Sequence, residues 1–163
     1  MTLALPSLPS WEAAHPALSH FPIALFFLVP VLLLVGLLRR ARREELLWLA
    51  FAALVAATVG VYLSAASGDA ARDVASKAPP IATAIAEHEE LGSLVRALLS
   101  GLTVLFAAFL LGPRLLRRKL APAVSGVLAW LIFVLSVTAL VPLWSAAHSG
   151  AVLVHRLGVH AKL

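Results

Sequence analysis

The chain has 163 residues, 61% of them hydrophobic and only 13% charged, with a mean hydropathy of +0.97. A soluble domain carries about 25% charged residues, so this is an integral membrane protein of a size for one domain. The net charge of +5 is not a nucleic-acid footprint, because most of the basic residues sit in two short loops. Cysteine is absent, which excludes disulfides, thiolate metal sites, iron–sulfur clusters and covalent c-type haem. Any metal or haem must be held by nitrogen or oxygen ligands, or by Met1.

In chain order, Leu3 to Pro9 is punctuated by prolines and reads as irregular, and Trp11 opens a short segment suited to the membrane interface, with Ser10 as its N-cap. His15 and His20 follow. Pro16 and Pro22 interrupt this stretch, so it is not expected to form one smooth helix. On a continuous helix the two histidines would lie about 140° apart and could not hold one ion together.

A helix needs roughly 20 mostly apolar residues to cross the hydrocarbon, and four runs qualify: 21–38, 46–66, 91–112 and 123–145. The expected fold is all-α, an integral membrane four-helix bundle forming one domain. No internal sequence repeat is apparent beyond the layout of two hairpins. Within the second run, Gly60, Ser64 and Gly68 recur at four-residue spacing and predict close helix packing. Pro142 is expected to kink the fourth run near its end.

Arg39, Arg40, Arg42 and Arg43 lie between runs one and two. Arg114, Arg117, Arg118 and Lys119 lie between runs three and four. By the positive-inside rule both loops face the cytoplasm, so both termini and the segment 67–90 lie on the outer side. The N-terminus reads as an uncleaved anchor rather than a cleaved signal peptide. All six histidines (His15, His20, His88, His148, His155 and His160) then fall on the outer side.

His88 sits among Glu87, Glu89 and Glu90, and a carboxylate beside an imidazole fixes its tautomer. Arg96 lies two turns deeper on the same side of that helix, a functional candidate as an intramembrane cation. Its expected partners are Asp69, Asp73 or a ligand carboxylate such as a haem propionate. His148 and His155 share one helical face, while His160 follows Gly158 in a C-terminal tail suited to the outer surface.

The residues HPALSHFPIAL, HEELG and GAVLVHRLGV resemble a bacterial membrane family catalogued as domain of unknown function 2231. The resemblance runs from about His15 to Val159 and implies a four-helix protein of the bacterial inner membrane. By position it marks His15, His20 and His88, and it puts His155 where a tyrosine is usual.

No G-x-S-x-G, P-loop or H-E-x-x-H is present, and enzyme chemistry is not indicated. Three classes remain. The first is a b-type haem held by two histidines at the outer end of the bundle, serving electron transfer or redox sensing. The second is a copper or zinc site built from three or more histidines, drawn from His15, His20, His88 and His148. The third is a structural or partner-binding subunit without cofactor. The central pair is expected to be His20 and His88, with His148 as the substitute partner and His15, His155 and Arg96 as further site residues. The lipid bilayer is a partner in every case, nucleic acid in none. A redox partner protein and a homo-oligomer are compatible with the haem reading.

Overall fold

The computed structural model describes residues 10–75 and 77–159. Met1, the stretch 3–9 and His160 lie outside the described residues.

Four long helices account for almost all of the described chain: α1 (His15–Leu38), α2 (Arg43–Val74), α3 (Pro79–Leu115) and α4 (Pro122–His155). A single 3₁₀ turn, Arg40–Arg42, joins α1 to α2. Each expected span lies inside one of these helices, and each helix is long and apolar enough to cross a membrane. Backbone N–H and C=O groups find no partners in hydrocarbon, so helices that bond internally are the natural solution. The helices begin where the chemistry allows. α3 and α4 open on Pro79 and Pro122, in the first turn, where no backbone N–H is needed.

The histidine stretch departs from expectation. His15–Leu38 is one continuous helix, despite Pro16, Pro22 and Pro30. Pro16 falls in the first turn, where its missing N–H costs nothing. Pro22 is buried and seats against α2, where a Cβ at Gly60 would meet the proline Cβ at 3.0 Å. The small residue opposite the ring lets α1 and α2 close over the proline. α4 runs as one helix through Pro142 to His155.

The helices form a closed ring in which α1 packs on α2, α2 on α3, α3 on α4 and α4 on α1, while the diagonal pairs do not touch through their backbones. Phe26, Leu33, Leu54, Leu99, Phe106 and Ile132 fill the centre with almost no exposure. The outward faces carry large exposed apolar side chains such as Val59, Val104, Val127 and Val141, the surface that a lipid-facing bundle presents.

The two short loops place Arg39, Arg40, Arg42, Arg117, Arg118 and Lys119 at one end. There Arg114 donates to Glu44, stands over the Trp48 ring at 5.1 Å, and Arg43 donates to the Ser125 carbonyl at 2.9 Å. We refer to this as the arginine end. The opposite, histidine end carries His15, His20, His88, His148 and His155.

Candidate functional site

At the histidine end the diagonal pair α1 and α3 meets through side chains. The rings of His15 and His88 stand with centroids 6.3 Å apart and planes at 79°. Each ring is held by the helix that follows it in the chain. His15 Nδ1 donates to the Ser64 carbonyl at 2.9 Å and to Ser67 Oγ at 3.1 Å, while Ser67 Oγ donates its own proton to the Ser64 carbonyl at 2.8 Å. His88 Nδ1 donates to Ser149 Oγ at 2.9 Å, and Ser149 Oγ donates to the Ala146 carbonyl at 2.9 Å. Since each serine proton is committed to a carbonyl, each serine oxygen accepts, so each Nδ1 carries a hydrogen. In the neutral ring this leaves the Nε2 lone pair on both histidines for a ligand, the arrangement that metal-ligating histidines use.

Glycine makes room for both rings. A Cβ on Gly68 would lie 3.0 Å from His15 Cε1, and a Cβ on Gly150 would lie 3.0 Å from His88 Cε1. Only a residue without a side chain lets an imidazole lie this close to the helix backbone.

The two rings face a cavity of about 610 Å³ lined by all four helices, within the range of small-molecule and cofactor sites. Much of its wall is apolar, including Pro22, Ile23, Val61, Val95, Leu143 and Leu153. Arg96 lies on the wall, half-buried, and makes no ion pair or hydrogen bond among the described residues. The expected pairing with Asp69 or Asp73 is not formed. Asp69 lines the cavity elsewhere, and Asp73 approaches Arg72 at 3.9 Å. Arg72 in turn donates to Glu89 at 3.1 Å, tying α2 to α3.

The other histidines stand apart. His20 is exposed, and its Nδ1 donates to the Pro16 carbonyl of its own helix. It is five residues from His15 on an unbroken helix, so it points about 140° away. His88 therefore meets His15, not His20. His148 and His155 are also exposed and line no part of the cavity. Among the described residues no group of three or more histidines and carboxylates converges to hold a metal ion. The glutamates flanking His88 do not fix its tautomer either. Neighbouring positions on a helix diverge by about 100°, and the role falls to Ser149 on α4. The dipeptide Ser-Gly occurs four times, and two of these, Ser67–Gly68 and Ser149–Gly150, lie at the end that carries the histidines; Ser100–Gly101 and Ser125–Gly126 do not.

A four-helix membrane bundle with a cofactor-sized cavity and two inward histidines is the class that fold and site define. The chain belongs to the family described as predicted membrane protein (DUF2231), whose profile matches residues 12–163. No curated protein and no solved structure matches it.

Proposed function

We propose that the protein binds a b-type haem between His15 and His88 and serves electron transfer or redox sensing from the non-cytoplasmic side of the membrane. The observation that carries this reading is the pair of imidazoles fixed by Nδ1 hydrogen bonds, both lining one cavity. A histidine nitrogen binds a metal at about 2 Å, and the ring centroid lies roughly another ångström behind it. Two imidazoles on opposite sides of one metal therefore have centroids about 6 Å apart, and the observed separation is 6.3 Å.

The residues fit a haem in two further respects. The cavity is far larger than a bare ion needs, and its apolar wall suits a porphyrin. Arg96 is a cation without a counterion among the described residues at that wall, placed to receive a propionate. A bound haem would supply one-electron chemistry. The protein's part is to hold two imidazoles in one tautomer, exclude water from the apolar side and neutralise the carboxylate. The orientation rests on the arginine end, which by the positive-inside rule faces the cytoplasm. A bacterial inner membrane is the proposed setting.

Copper(I) is the second reading, favoured by the pair alone, since two facing imidazoles with no third ligand among the described residues suit a two-coordinate soft ion.

The test is a haemin titration of protein purified in detergent, with a pyridine haemochrome spectrum. One haem per chain is expected, lost in His15→Ala and in His88→Ala and kept in His20→Ala, His148→Ala and His155→Ala. Wild-type protein that takes up no haem overturns the haem reading, and stoichiometric copper(I) uptake in its place establishes the second. A cytoplasm-dependent reporter fused after Leu163 should be silent, and strong activity would reverse the orientation.

A further inference from the structure

We propose that the chain is one helical hairpin duplicated, and that the ligand lies on the axis relating the copies, with His15 and His88 as equivalent donors. The ligand part of this inference rests on the cofactor reading above; the duplication does not.

Of the four Ser-Gly steps in the chain, two lie beneath the histidine rings. The ungapped shift that carries Ser67–Gly68 onto Ser149–Gly150 also carries LLWLAF (46–51) onto LAWLIF (128–133). Trp48 and Phe51 meet edge to face with centroids 6.0 Å apart at 74°, and Trp130 and Phe133 do the same at 5.5 Å and 85°. Under that one shift the buried positions Leu47, Ala50, Leu54, Ala57 and Val61 of α2 fall on Ala129, Ile132, Ser136, Ala139 and Leu143 of α4, all buried.

A second ungapped shift, carrying His15 onto His88, treats α1 and α3 alike. Pro22, Phe26, Val29, Leu33 and Gly36 fall on Val95, Leu99, Leu102, Phe106 and Phe109, again all buried. Any two bundle helices have a repeating apolar stripe and align in some register. Here the register that aligns the buried stripes also superposes His15 on His88 in α1 and α3, and Ser67–Gly68 on Ser149–Gly150, together with Trp48 on Trp130, in α2 and α4. The hydrogen bonds repeat as well: in both halves the serine donates to the carbonyl three residues earlier and accepts from the histidine.

Both hairpins start at the histidine end and turn at the arginine end. They are therefore parallel repeats, related by an axis along the bundle and normal to the membrane. The ring of packed pairs obeys that axis: α1 with α2 maps onto α3 with α4, and α2 with α3 onto α4 with α1. α1 and α3 are its diagonal pair, so the place where their histidines meet lies on the axis. A ligand bound there offers the same kind of face to each half. This selects a metal centre with two equivalent, opposed positions over a tetrahedral ion that draws three ligands from one side.

Equivalence can be tested without any ligand. In full-length protein labelled with ¹⁵N-histidine, at mildly alkaline pH in detergent, two rings should show protonated Nδ1 and unprotonated Nε2. Ser67→Ala and Ser149→Ala should each shift one of the two ring signals, by comparable amounts, and leave the other in place. With haemin as probe, His15→Met and His88→Met should give the same histidine–methionine spectrum. A ring found in the Nε2–H form, or a serine variant that leaves both ring signals in place, overturns the equivalence. If haemin fails to bind while the two rings match, the half-sites stand and only the haem reading falls.

Discussion

The hairpin α1/α2 and the hairpin α3/α4 build the same half-site on different packing. In the first, Gly36, Gly60 and Gly68 all face close neighbours, and Ser19 and Ser64 bond across the interface at 2.7 Å. In the second, Gly101, Gly112 and Gly126 face open space, and only Gly150, beneath His88, is closely covered. Larger side chains do the filling there: Phe109 stands where the first hairpin has Gly36, and Pro142 where it has Gly60. Two hairpins can therefore differ in how closely their backbones approach and still present an imidazole in the same way. What they share is the histidine, the serine and the glycine under the ring.

The contrast is sharpest for added bulk. Gly60→Leu drives a side chain into the Pro22 ring and should destabilise the protein by about 3 kcal/mol, whereas Gly126→Leu, with nothing in its way, should stay within about 0.5 kcal/mol. Unfolding in detergent reads both, and equal losses would show that the two hairpins pack alike.

A smaller effect is expected where the halves differ in charge. Ile23 occupies in α1 the position of Arg96 in α3. Arg96→Ile makes the two alike and removes the cation from the cavity wall. Haemin affinity should fall about tenfold, the effect of losing one charged hydrogen bond. The dimethyl ester, which lacks the carboxylates, should bind both forms equally, and Arg96→Lys should recover part of the loss. Haemin binding unchanged in Arg96→Ile would assign the arginine to the lipid headgroups.

Ser64→Ala gives the first hairpin the residue that the second has at Ala146. It removes the hydroxyl bond to Ser19 and should cost about 0.6 kcal/mol, typical for such bonds in membrane helices. His15 should stay bound, because the Ser64 carbonyl and Ser67 remain. The smallest effect is expected for Arg72→Ala, which breaks the ion pair to Glu89 at a largely exposed position. About 0–1 kcal/mol is expected, and a larger loss would make this pair a structural clamp between the hairpins.

The bundle was legible because spanning imposes length and polarity directly on the sequence. His88 was legible for the same reason, since it stands just ahead of an apolar run. His15 was not. Proline was read as a break, but a proline in the first turn costs no bond, and Gly60 accommodates Pro22. Once α1 is continuous, His20 must turn away from the cavity. The partners of the rings were hidden because they lie on the following helices, at sequence separations of 49 or more. The repeat was hidden by composition. Leucine, alanine and valine fill all four helices, so the shared pattern shows only at Trp48 and Trp130, at the Ser-Gly steps and in the registers of burial.

The way the halves are joined has a consequence of its own. A free hairpin of this kind, paired with an identical copy, would offer its ligand two indistinguishable orientations, and any substitution would appear on both sides at once. Tethering the copies in one polypeptide removes that constraint. Ile23 and Arg96 then diverge without harm to the ring contacts, and a molecule with one charged edge gains a single way to sit. The covalent link between α2 and α3 gives polarity to a site whose geometry has none.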